Sequence, residues 1–149
     1  YYAVVQGELP LGPGVVDAPI GRRADSIIGR CVTPQGKPSR TEYTILNAQA
    51  GLSLAACVPV TGRTHQIRVH FAFIGHPLAG DDLYGGSRER IGRQALHCAR
   101  QTFRVPVCTQ LPDGIRVELP TLEESWRTVT VESPLPEDMM ALFRENREK

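Results

Sequence analysis

Residues 61–86 run T-G-R-T-H-Q-I-R-V-H-F-A-F-I-G-H-P-L-A-G-D-D-L-Y-G-G. Ile67, Phe71 and Ile74 recur at helical spacing and give one apolar face. Gly62 and Thr64 mark the entry to that helix, and Gly75 with Pro77 marks its exit. Arg63 and His65 are expected in its first turn, where a cation faces the positive end of the helix dipole. A helix with only a structural role favours Asp or Glu there. Cations beside free backbone N–H groups make an anion site, and phosphate is the obvious anion.

Outward from this helix, the flanks are β-rich. Thr41–Ala48 and Leu52–Val60 are two β-type runs joined at Ala50–Gly51, an antiparallel hairpin that feeds straight into the helix. Tyr1–Gly7 alternates as a strand, and Leu9–Pro19, with three prolines and two glycines, is expected as a loop with a short extended piece at 15–17. Gly21–Arg40 carries Arg22, Arg23, Arg30, Lys37 and Arg40 against the single acid Asp25. A solvated surface loop is the plain reading of it. Downstream, 75–86 is a loop, Ala95–Val105 a strand, Thr109–Pro120 a hairpin about Pro112–Asp113–Gly114, and Val129–Glu132 a short extended piece. Pro136–Lys149 is an amphipathic helix with Met139, Leu142 and Phe143 on its apolar side. The predicted class is α+β: a largely antiparallel, mixed sheet with a central helix and a C-terminal helix, in one domain over 1–149.

Composition narrows the function without naming it. Net charge is only +1, but fifteen of the seventeen basic residues are Arg, the side chain that makes forked contacts to phosphate and stacks on bases. A GC-rich genome is the other account of that bias. The four cysteines form no C-x-x-C pair, so reduced thiols of a cytoplasmic protein are expected, with Cys57 and Cys98 as inert core thiols. No apolar run approaches the roughly 18 residues of a membrane span. His65, His70, His76 and His97–Cys98 are zinc-ligand types, yet a spacing of five between His65 and His70 separates them around a helix, and no metal is expected. There is no G-x-S-x-G elbow and no P-loop. What remains is an Arg/His/Gln cluster beside a glycine-rich loop and basic flanks, which suits a phosphate backbone with an extruded base. A buried polar network capping the helix is the alternative.

T-G-R-T-H-Q-I-R-V-H followed by G-H-P-L-A-G-D-x-x-Y-G resembles the signature of the RluA-type pseudouridine synthases. Tyr1-x-Ala3-x-Val5-x-Gly7, Val16–Asp17–Ala18–Pro19–Ile20, Gly36–Lys37–Pro38 with Thr41, and Gln94–Ala95–Leu96–His97 resemble further motifs of that family, in order along essentially the whole chain. The resemblance implies a partial pseudouridine synthase fold and an isomerase that converts uridine to pseudouridine in RNA, foremost 23S ribosomal RNA and in some members tRNA. It implies no cofactor. An aspartate attacks the uridine, the N-glycosidic bond breaks, and the base rotates and rejoins through carbon. Carried over by position, Arg68 is the arginine that pairs with that aspartate and Tyr1 the tyrosine that stacks on the flipped base. Leu96 is an apolar contact on the pocket wall. Arg63, Thr64, His65, Gln66 and Arg40 would bind RNA or help form the pocket.

One departure is large. The family's aspartate lies in an H-R-L-D-x-x-T-S-G segment upstream of the tyrosine strand, and these residues contain none. Asp81 belongs instead to the G-D-x-x-Y-G loop, with a structural or RNA-contacting role. The chain is therefore expected to be the C-terminal portion of a catalytic domain, cut in at a strand, and to be inactive alone. A non-catalytic RNA-binding module derived from the family is the rival expectation. Neither reading fixes the oligomeric state.

Overall fold

The computed structural model describes residues 1–106 and 126–144. Its centre is the hairpin expected at Ala50–Gly51. Strands β5 (Arg40–Gln49) and β6 (Leu52–Pro59) pair antiparallel, and both turn residues have positive φ, 55° and 74°, the backbone twist that tight hairpin turns need. β1 (Tyr2–Gln6) lies antiparallel on β6 with Ala3 opposite Ala55, and β7 (Leu96–His97) lies on β1 with Leu96 opposite Ala3. β2 (Gly12–Asp17) runs along the other side of β5, which gives the order β2-β5-β6-β1-β7. A separate two-stranded ribbon, β3 (Ile20–Arg22) with β4 (Arg30–Val32), holds the basic stretch.

Both faces of the five-stranded sheet are covered, so Ala3, Val4 and Val5 are buried in succession where a half-exposed strand would alternate. On one face Ala3, Val5, Ile45, Ala55 and Cys57 pack against Ile67 and Phe71 of helix α1 (Gln66–Phe73) and against Leu78. On the other, Val4 and Leu52 pack with Ala79, Ile91 and Ala95 against Met139 and Leu142, at the short helix α2 (Glu137–Ala141). The predicted class stands: mostly antiparallel β with few helices.

Several expectations are corrected. Leu9–Pro19 contains the full six-residue strand β2 rather than a three-residue piece. Proline lacks a ladder donor, but an edge strand tolerates it, and Pro13 stands opposite Thr44 on that edge. Gly14 is there for space, since a Cβ would collide with the Tyr43 ring. Ala95–Val105 divides into β7 and β8 (Arg100–Pro106), and Val129–Glu132 is the end of a longer β9 (Trp126–Glu132). By its internal contacts the chain divides into two compact units, Tyr1–His97 with Leu135–Lys149, and Cys98–Pro134; in the second, β8 and β9 bond to each other in a two-stranded sheet of their own. Cys57 is a core thiol that burial pushes up to about 12, whereas Cys98 is half-buried, with its thiol directed to the Arg100 carbonyl at 3.8 Å. The helix expected over Pro136–Lys149 is found at Glu137–Ala141, with Leu142 as its C-cap; the hairpin expected at 109–120 and residues 145–149 lie outside the described residues.

One buried polar group ties the strands to α1. His70 is fully buried, its Nε2 2.9 Å from the Ala18 carbonyl and its Nδ1 2.8 Å from Thr41 Oγ1. A carbonyl only accepts, so Nε2 carries the proton and Nδ1 accepts from the threonine hydroxyl. Burial lowers the His70 pKa, opposed by the Ala18 hydrogen bond and by Asp17. Unfolding therefore lets the ring take up a proton below the ordinary value of about 6.5. Its contribution to stability is whole above that pH and is lost as pH falls through the lowered folded value. Urea unfolding should show a lower midpoint at pH 5.5 than at 7.5, and His70→Gln should lose much of that difference. Equal midpoints in the native chain would mean His70 is not held neutral.

Candidate nucleic-acid interface and arginine site

α1 begins later than its sequence signals suggest. Gln66 is its first residue, and His65 precedes it as N-cap in the left-handed region, with φ 57°. Arg63 and His65 are thus on a turn before the helix and not in its first turn. The turn is held by Gln66, which is 4% exposed. Its Oε1 accepts from Thr61 Oγ1 at 2.7 Å and from the Arg63 N–H at 3.1 Å, and its Nε2 donates to the Arg40 carbonyl at 2.8 Å and to Thr41 Oγ1 at 3.0 Å. All four bonding positions of the amide are used within the protein. Gln66, expected to bind RNA or help form the pocket, lies in a buried polar network that braces the turn.

Arg63 and Thr64 then line an open groove of about 470 Å³ together with Gly62, Arg22, Arg30, Gly36 and Lys37. The β3–β4 ribbon forms one wall and the turn before α1 the other. Arg22, Arg30, Lys37 and Arg63 bring four positive charges to it with no acid in the lining. Among the described residues none of these four joins an ion pair, whereas Arg23, Arg40, Arg68, Arg88 and Arg93 each do. Arg40, expected to contact RNA, is engaged by Asp17 at 3.3 Å and Glu42 at 3.1 Å. Like charges gathered without counter-charges are costly to maintain unless an anion fills the space. In sequence, Arg22, Arg30 and Lys37 stand out only as a basic loop. Five cations against one acid is a visible signal, but nothing in the spacing shows that they line one groove with Arg63.

Behind the groove, Arg68 projects from the first turn of α1. Its Nε and Nη2 donate to the two carboxylate oxygens of Asp81 at 2.7 and 2.8 Å, with the side chains 12% and 1% exposed. This fork-to-fork geometry is the strongest that an arginine and a carboxylate can make, and the Asp81 hydrogen bonds raise the Arg68 pKa. Nη1 has no protein hydrogen-bond partner among the described residues. The guanidinium also lies over the Tyr84 ring, 4.9 Å from its centroid. The Tyr84 hydroxyl is 2.6 Å from His65 Nδ1 and accepts the Arg30 N–H at 3.1 Å. Burial, then the charges of Arg68 and Arg30, lower the His65 pKa, with Asp81 acting the other way.

The remaining expected residues flank this centre. Tyr1 is 42% exposed at the start of β1, its main chain paired with Cys57. Leu96 is half-buried in β7 and packs on the same core cluster as Ile67 and Phe71, beneath the helix that presents Arg68. Among the described residues no group of three His, Cys, Asp or Glu side chains could hold a metal ion, and no helix is long and apolar enough to cross a membrane.

A family model described as RNA pseudouridylate synthase matches residues 1–73. The chain is 44% identical over 144 residues, 97% of its length, to YjbO of Bacillus subtilis, named an uncharacterized RNA pseudouridine synthase. It is 40% identical over 153 aligned residues to the ribosomal large subunit pseudouridine synthase D of Nitrosomonas europaea, again across 97% of the chain. The solved structure of human RNA pseudouridylate synthase domain containing 1 superposes over 95% of the chain and 63% of its own, at 30% identity and a TM-score of 0.59. The chain spans 45% and 39% of the two bacterial relatives, less than half of each.

Proposed function

We propose that this chain, which belongs to the RNA pseudouridine synthase family, forms the arginine side of a site that isomerises uridine to pseudouridine in RNA. The observation that carries this reading is Arg68: a nearly buried guanidinium, oriented through two nitrogens by Asp81, with Nη1 left for a second carboxylate. Such a cation keeps a nearby nucleophilic aspartate ionised by opposite charge at close range. That aspartate is supplied from outside these 149 residues, which hold no H-R-L-D stretch. In the reaction the bond from the sugar to N1 of uracil breaks, the base turns, C5 bonds to the sugar and loses its hydrogen as a proton, and N1 takes up a proton. Tyr1 faces the flipped base and Leu96 the pocket wall. The groove of Arg22, Arg30, Lys37, Arg63 and Thr64 takes the phosphate backbone. Ribosomal RNA is the proposed substrate, since a relative at 40% identity is named for the ribosomal large subunit.

Release of tritium from RNA carrying 5-tritiated uridine tests this directly. The full-length gene product should release it from ribosomal RNA, and the 149 residues alone should not. Release by the 149 residues would put the nucleophile within them and overturn the missing-aspartate reading. The closed Arg68–Asp81 pair favours a second reading, a binding module in which the arginine is purely structural. RNA binding by the full-length product without any release of tritium would establish that one.

A further inference from the structure

Tyr84 is the one side chain among the described residues that touches all three parts of the site. It ends a 3-10 turn, Asp82–Tyr84, whose position is tightly set. Its own N–H and that of Gly86 both bond the Asp81 carbonyl, at 3.1 and 2.8 Å, while the Asp81 carboxylate grips Arg68. Gly80, at φ 77°, leaves no room for a Cβ against the Arg93 carbonyl, so the loop is fixed from both sides.

From that base the tyrosine reaches outward. Its hydroxyl accepts the Arg30 N–H where β4 enters the groove wall, and it meets His65 Nδ1 on the turn of the opposite wall. Its ring face lies under the Arg68 guanidinium, and its ring and the His65 ring meet edge to face at 5.7 Å. A left-handed conformation at a residue with a side chain costs about 1–2 kcal/mol, so the His65 turn needs such an anchor. We propose that Tyr84 is the positioning residue of this site, one side chain that locks the two walls of the phosphate groove to each other and seats the arginine beneath them.

The hydroxyl that accepts from Arg30 still has its own proton to give, and when the His65 ring is neutral with its proton on Nε2, Nδ1 at 2.6 Å can receive it. That bond favours the neutral ring. The charged and titratable groups facing His65 are Arg30, Arg68, Asp81 and Tyr84 itself. Removing the hydroxyl leaves the ring's neutral form without its donor, which shifts its titration towards higher pH. The same loss unties Arg30 from the turn and lets the groove and Arg68 move relative to one another. Misplacement of this kind at a reacting centre costs on the order of 10²-fold in rate.

The inference rests on the isomerase reading, and the test separates the two. Tyr84→Phe keeps the ring beneath Arg68, and Tyr84→Leu removes it. In the full-length gene product, Tyr84→Phe should lower kcat for 5-tritiated ribosomal RNA by about tenfold or more with KM within about threefold. Tyr84→Leu should lower kcat further. By NMR, Tyr84→Phe should raise the midpoint of the His65 titration with amide shifts outside the site unchanged, which separates loss of the hydroxyl from a loosened fold that exposes the ring. Native kcat together with a native His65 midpoint in Tyr84→Phe overturns the proposal. If the native protein releases no tritium, the isomerase reading falls. The His65 midpoint then decides the Tyr84 assignment by itself, and an unchanged midpoint overturns it.

Discussion

Replacing Arg68 by Met together with Asp81 by Asn should abolish uridine isomerisation while leaving the fold and RNA affinity largely in place. The paired substitution matters. Asp81 is 1% exposed, so Arg68→Ala alone strands a buried carboxylate at a cost of about 3–5 kcal/mol. A dead single variant could then be merely unfolded. Replacing both members of the pair by neutral side chains of similar size leaves no unpaired buried charge, and it removes the cation proposed to keep the attacking aspartate ionised. RNA affinity should stay within about tenfold, because phosphate contacts supply most of such affinity and the groove proposed to make them does not include Arg68. Tritium release, filter binding and urea unfolding on the same preparation separate the three effects. A double variant that binds RNA more than tenfold more weakly, yet turns over bound RNA at the native rate, would give Arg68 to binding and not to chemistry.

Charge removal in the groove should act in the opposite sense. With Arg22, Arg30, Lys37 and Arg63 all changed to Gln, RNA affinity at physiological salt should fall on the order of 10²-fold. The plot of log affinity against log salt should become shallower by about 3, near 0.7 for each single-strand phosphate left without its cation. Gln keeps most of each stem, so the weakening comes from charge more than from packing. Turnover of RNA already bound should change little, because the Arg68–Asp81 pair is closed on itself and takes no hydrogen bond from any of the four. Binding titrations between about 50 and 300 mM salt measure the slope. An unchanged slope would remove the groove from the interface, whatever the fall in affinity.

How much of this is legible in the residues depends on range. The hairpin at Ala50–Gly51 and the apolar face of α1 rest on contacts between close neighbours in the chain, and their periodicities report them. β2 is hidden because Pro13 and Gly14 are loop residues by propensity, and only its place at the sheet edge and under Tyr43 makes them strand residues. The helix start is misplaced by local signals because His65 adopts the left-handed region, uncommon for a residue with a side chain, and its ring meets Tyr84 from nineteen positions away. The same is true of the site. Arg68 is legible through its motif, but Gln66 reads as a ligand-binding amide until Thr61, Arg40 and Thr41 are brought in to occupy it. The groove needs Arg22 and Arg30 of one ribbon to face Arg63 across thirty or more residues, which local pattern cannot express.

The strand order has a kinetic consequence. β1 sits between β6 and β7, with Ala3 opposite both Ala55 and Leu96. The β5–β6 hairpin can close by itself on a microsecond timescale, but β1 cannot be enclosed until partners more than fifty and then more than ninety residues later are in place. Closing loops of that length costs entropy before the new contacts offset it, so folding should be slow for the chain's size. During synthesis β1, with its three successive apolar residues, stays uncovered until the ribosome has made β7. The arginine's helix can therefore be assembled well before the strand that carries Tyr1 is locked beside it.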